Sequence, residues 1–134
     1  MNATLVRLVW QRASDRCEYC QMPQKYDRTR FEIDHIIAEK HKGQTTAGNL
    51  CLSCFHCNSF KGSDVSGLDV VTRKLTPLFN PRRHKWTRHF GWNGPYLVGR
   101  TAIGRVTVEL LRINDPFRVE LRVELMTEGV FPPT

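Results

Sequence analysis

The stretch that decides the fold is Phe31–Ala38, FEIDHIIA. Phe31 and Ile33 alternate with polar residues before Ile36-Ile37, which predicts a short strand over Arg30–Ile37 running into a turn. An Asp-His pair stands at its centre. Burying an unpaired polar side chain costs on the order of 2–7 kcal/mol even when it is neutral. Asp34 and His35 are therefore either polar positions on a half-exposed strand or residues that do chemistry. The flanking sequence decides between the two.

Two cysteine pairs bracket the stretch: Cys17-Glu-Tyr-Cys20 before it and Cys54-Phe-His-Cys57 after it, with 33 residues between Cys20 and Cys54. A CxxC turn brings two thiolates close enough to hold one ion. Two such turns complete a tetrahedral four-cysteine zinc site, which is structural because all four positions are filled. The chain has five cysteines, an odd count that argues against a closed disulfide framework. Cys51-Leu-Ser-Cys54 is also a CxxC, so three cysteines compete for two places. The Cys54/Cys57 register is preferred because it sets Asn58 directly beside the knuckle; in the other, Asn58 stands four residues beyond it. Cys51 is then a spare thiol, expected as a small buried hydrophobe.

In order, the chain reads CxxC, FEIDHIIA, Gly48-Asn49-Leu50, then Cys54-Phe-His-Cys57-Asn58-Ser-Phe-Lys61-Gly62. This resembles the HNH endonuclease family, the ββα-metal nucleases, in its zinc-stapled branch. The resemblance implies an α+β fold whose core is two antiparallel strands and a helix gripping a divalent ion. Carried over residue by residue, Asp34 and Asn58 resemble the two ligands of that ion and His35 the general base. Asn49 resembles the residue that orients His35 through a hydrogen bond. Oxygen ligands suit Mg²⁺ or Mn²⁺. The implied activity is hydrolysis of DNA phosphodiester bonds, with one divalent ion at the scissile phosphate.

The chemistry agrees with that implication. A neutral histidine with an ordinary pKa near 6.5 can take a proton from an attacking water at pH 7. Neighbours on a regular strand point to opposite faces. The Asp-His pair is therefore expected at the strand end, where a turn lets Asp34 face the ion and His35 the water. Glu32 shares the strand face of Asp34 and takes no assigned role. His56, inside the second knuckle, can reach phosphate or solvent; His41, His84 and His89 are expected at the surface.

The 134 residues fit one domain with a modest core, 40% hydrophobic and 25% charged. We expect an HNH core at about 15–65, a basic aromatic segment at 70–100 and two helices over 101–129. No apolar run approaches the roughly 20 residues that span a bilayer. The N-terminal stretch carries arginines among its apolar residues, unlike a signal peptide, so a cytoplasmic location is expected. The net charge of +7 is unevenly placed: Val70–Val108 holds eight Lys/Arg and no acidic residue. A near-neutral body with one basic segment is the footprint of a polyanion-binding protein. Lys61, Arg82, Arg83, Lys85 and Arg88 are the expected phosphate contacts, with DNA as the partner. Trp86, Phe90 and Trp92 are expected as core residues of a hairpin.

A first helix is expected over Asn2–Asp15, capped by Asn2 or Thr4. A second is expected to open at Asn58. Ser63–Pro81 reads as irregular, and Asn93-Gly94-Pro95 as the turn of a hairpin. Thr101 caps the next helix, and Asn114 the last, with Phe117, Leu121 and Leu125 on its apolar face. Two other functions fit the composition: a zinc-stapled nucleic-acid-binding protein without catalysis, and an RNA-directed nuclease. The first has no need of a base beside a metal ligand. Homodimerisation or a partner protein would be one route to a double-strand cut.

Overall fold

The computed structural model describes residues 1–133. Helix α1 (Ala3–Arg12) begins where Asn2 Oδ1 accepts the Leu5 amide at 2.8 Å, as expected of a cap. It buries Val9, and the Arg12 guanidinium donates to the Leu50 carbonyl. Strands β1 (Glu32–His35) and β2 (Leu50–Ser53) pair antiparallel, with Glu32 opposite Ser53, Asp34 opposite Cys51 and His35 opposite Leu50. All four residues of β2 are buried, because α1 covers this strand. Helix α2 (Phe55–Lys61) follows at once and packs on β1, completing a ββα unit.

Helix α2 starts three residues before the expected Asn58. Cys54 caps it: its Sγ accepts the Cys57 amide at 3.3 Å, and its carbonyl accepts the Asn58 amide at 2.9 Å. The knuckle is thus the first turn of the helix. Ser63–Pro81 is not irregular either. It holds β3 (Ser66–Leu68) and β4 (Leu75–Pro77), three residues each, too short for periodicity to reveal. Gly67 lets this hairpin sit on a later helix, since a Cβ there would lie 2.7 Å from Leu110 Cδ1. The buried Asp69 fixes the hairpin's turn, accepting from the Thr72 amide at 2.9 Å and from Arg105 at 2.9 and 3.0 Å.

A single turn of helix, α3 (Trp86–His89), leads into the expected hairpin, β5 (Phe90–Asn93) and β6 (Tyr96–Gly99). Gly94 takes the left-handed φ of +57° in its turn. Thr101 caps α4 (Ala102–Leu110), its hydroxyl accepting the Gly104 amide at 3.1 Å. Gly104 lies against the preceding backbone; a Cβ would come within 2.0 Å of the His89 carbonyl oxygen. Phe90 is buried, with Trp86 at 5.2 Å, and Trp92 stacks edge-on to Phe131 at 5.1 Å.

Helix α5 (Pro116–Thr127) departs from expectation twice. Asp115 stands at the cap, while Asn114 ties β6 down, exchanging 2.9 Å bonds with both the amide and the carbonyl of Leu97. Its buried face is Arg118, Val119, Arg122 and Leu125, with Phe117 left 58% exposed. Arg122 is tolerated inside because each of its three nitrogens has an acceptor: the carbonyls of Pro95 and Ile113 and Asn114 Oδ1, at 2.7, 3.0 and 2.9 Å. Among the described residues no helix is long and apolar enough to cross a membrane.

Candidate metal centre and active site

The four sulfurs of Cys17, Cys20, Cys54 and Cys57 lie within 4.8 Å of one another, and all four residues are buried. Sulfurs bound at about 2.3 Å around a tetrahedral ion lie about 3.8 Å apart. Cys20 and Cys54 are 3.8 Å apart. The cluster is placed to bind a metal, and its donor set is that of a closed structural zinc site. The first knuckle is shaped by its own turn, the Cys17 amide reaching the Met22 carbonyl at 3.0 Å. The S–H groups of Cys17, Cys54 and Cys57 hold the Cys20 thiol well below its ordinary pKa, against the opposing effect of burial. Cys51 stays outside the cluster as a buried thiol, 3.5 Å from the Tyr19 hydroxyl, so the Cys54/Cys57 register is the one the fold uses.

Sequence reasoning missed Arg118. From α5 its Nη2 reaches Cys54 Sγ at 3.7 Å and Asp27 Oδ2 at 3.0 Å. Burial disfavours the guanidinium charge, yet Cys20, Cys54 and Asp27 outweigh it and hold its pKa above the ordinary value. A zinc ion held by four thiolates would carry excess negative charge, and Arg118 is placed to offset part of it. Its distance in sequence from the knuckles helped to hide this residue.

The Asp-His pair occupies the last two positions of β1. The strand stays regular through His35, so the two side chains leave on opposite faces. Asp34 turns inward, 8% exposed, with Cys51 Sγ at 3.9 Å and Lys61 Nζ at 3.0 Å from Oδ2. Burial pushes the Asp34 carboxyl up by more than Lys61, His35 and Cys51 together pull it down. His35 remains partly exposed; its Nε2 lies 2.9 Å from Thr45 Oγ1 and 3.8 Å from Glu39 Oε1.

Asn49 has partners other than the expected imidazole. Its Oδ1 accepts the Ile37 amide at 2.9 Å, and its Nδ2 donates to the carbonyls of Ile37 and Gln44, both at 2.9 Å. Its carbonyl also accepts the Ile36 amide at 2.8 Å. Asn49 therefore stitches the loop after β1 shut and acts on His35 only through the backbone. Asn58 donates from Nδ2 to Glu32 Oε2 at 2.6 Å, which brings Glu32 to the site. Spacing places Glu32 on the strand face of Asp34 without a role, and the bond from Asn58 supplies its contact to the site.

Glu32 and Asp34 thus share the face of β1 that meets Asn58 and Lys61 of α2, and Glu32, Asp34 and Asn58 all offer oxygen. In kind they fit a hard divalent cation. Lys61 is already paired with Asp34. It is 2% exposed, so it is not the surface phosphate contact expected from sequence: burial removes it from a passing backbone. His56 is likewise internal, donating from Nε2 to the Arg112 carbonyl at 2.7 Å between Phe60 and Phe117. His89 is buried too, its Nδ1 2.6 Å from Thr101 Oγ1. In the basic segment, Arg83, Lys85 and Arg88 are exposed, whereas Arg82 is half-buried and spends its charge on Glu18.

Residues 17–64 match the family model described as HNH endonuclease. Over 105 residues the chain is 25% identical to Septu protein PtuB of Bacillus thuringiensis, a match covering 77% of this chain and 38% of that protein. The chain therefore spans well under half the length of this relative. No solved structure matches. Ordered cysteine pairs, a ββα unit and the family match coincide on one segment: residues 17–64 are an HNH endonuclease domain, tied by a four-cysteine cluster placed to hold a metal ion.

Proposed function

We propose that this protein is a metal-dependent endonuclease that hydrolyses DNA phosphodiester bonds, with His35 as general base. The observation that carries the reading is the position of His35: partly exposed, at the end of β1, in a ββα unit whose helix start the cysteine cluster joins to the Cys17–Cys20 turn. Nε2–H donates to Thr45 Oγ1 on this reading, which leaves the Nδ1 lone pair to take a proton from the attacking water. Asn49 keeps the loop that carries Thr45 closed against Ile37, and so holds the ring's partner in place. Asp34 and Asn58 would hold a divalent ion, Mg²⁺ or Mn²⁺. Such an ion, when bound, polarises the phosphoryl oxygen and stabilises the leaving oxygen. Zinc in the cysteine cluster is structural. Arg83, Lys85 and Arg88 neutralise backbone phosphates without reading sequence.

The test is cleavage of supercoiled plasmid with Mg²⁺ or Mn²⁺ by the wild type and by His35→Ala. Nicked or linear product from the wild type alone supports the reading. Equal cutting by both removes His35 from its role. If neither cuts while both bind DNA in a salt-sensitive way, the protein is a binding module. Linear product appearing without a nicked precursor would show two sites acting together, supplied by a second copy or a partner protein.

A further inference from the structure

One ammonium group bridges both members of the Asp-His pair. Lys61 Nζ lies 3.0 Å from Asp34 Oδ2 and 3.2 Å from the His35 carbonyl oxygen. The register explains how. Asn58 and Lys61 stand one turn apart on α2, and they meet Glu32 and Asp34, two residues apart on β1. The Lys61 side chain is 2% exposed and that of Asp34 10%. A charge so deeply buried persists only when it is paired. The Asp34 carboxylate therefore already has a cation before any divalent ion arrives.

We propose that Lys61 is the resident counter-ion of Asp34 and sets the divalent-ion affinity of the site by competing for that carboxylate. This rests on Asp34 being an ion-binding residue. Lysine suits the task, being a compact point charge on a flexible stem. It also has somewhere to go. A cavity of about 250 Å³ opens beside it, lined by Ile36, Ile37, Asp64 and Arg83 among others, and Asp64 offers a second carboxylate there. While in place, Lys61 holds the His35 carbonyl and so the backbone that aims the imidazole. Lys61 is a positioning residue. It couples ion binding to the strand end on which His35 sits.

The experiment is a Mn²⁺ titration of the zinc-loaded full chain at pH 8, read by the electron paramagnetic resonance of free Mn²⁺. Removing the competing charge with Lys61→Gln tightens Mn²⁺ binding at least about tenfold, whereas Lys61→Arg, which keeps the charge, stays within about threefold of wild type. Unchanged or weaker binding in Lys61→Gln overturns the competition. Asp34→Asn separates the two layers. If it binds Mn²⁺ like the wild type, Asp34 is no ligand, and the underlying site reading fails together with the proposal. If it binds weakly and Lys61→Gln is unchanged, the competition alone fails. A wild-type measurement guards against a variant that does not fold. The Lys61 ¹³Cε resonance shifts when Mg²⁺ saturates the protein, and a resonance that stays in place overturns the proposal.

Discussion

Arg118 Nη2 lies 3.7 Å from Cys54 Sγ, so the last helix of the chain touches the cluster that ties the nuclease core. The same nitrogen holds Asp27 at 3.0 Å. Breaking a buried charge network by removing one partner costs about 3–5 kcal/mol. Arg118→Leu should therefore lower the melting temperature sharply and speed metal loss to a chelator, followed by a colorimetric zinc indicator. Arg118→Lys keeps the charge but reaches one partner in place of two, and should fall between.

The two CxxC registers make opposite forecasts for metal content. Cys57→Ser removes a ligand and should leave the purified protein with less than one equivalent of zinc by elemental analysis. It should also unfold at lower temperature, because binding free energy in such sites is folding free energy. Cys51→Ala should keep a full equivalent and lose only the packing of a buried sulfur, on the order of 1 kcal/mol. Loss of metal in Cys51→Ala with retention in Cys57→Ser would reverse the register.

The site's frame was legible because its residues lie close in sequence and their order is constrained. CxxC spacing fixes the thiolates, and strand alternation places Phe31 and Ile33. Partners met through packing were not legible. Arg118 lies 64 residues from Cys54, and nothing in α5 marks it as a cluster residue. Its apolar stripe pointed to Phe117 and Leu121, whereas buried acceptors drew Arg118 and Arg122 inward. Lys61 misled for a related reason. A lysine near the end of a helix reads as solvated unless a buried carboxylate is known to face it. The β3–β4 hairpin escaped notice because three-residue strands carry no period.

Asn49 gives a test of loop closure. Its amide makes three 2.9 Å bonds within the loop and none to the His35 ring. Asn49→Ala should accelerate hydrogen exchange of the Ile37 amide and lower cleavage about 10- to 100-fold, the usual cost of losing a group that orients a site. Asn49→Asp keeps the acceptor for Ile37 N–H but loses both donors. It should protect that amide while leaving cleavage impaired. Full activity in Asn49→Ala would show that the loop needs no such closure.

Asp69 and Arg105 predict how stability depends on pH. The Arg105 hydrogen bonds hold the Asp69 carboxyl well below its ordinary value, helped by the Thr72 amide and opposed by burial. A carboxyl whose folded pKa is depressed contributes stability that is complete above its unfolded pKa, about 3.9. That contribution is lost as pH falls through the folded value. The difference in unfolding free energy between wild type and Asp69→Asn should therefore be constant from pH 8 to about 5 and shrink below about pH 4. Urea unfolding at several pH values reads it directly. A difference that grows as pH falls would mean the carboxylate is destabilising, and the Arg105 pair could not be what fixes the β3–β4 turn.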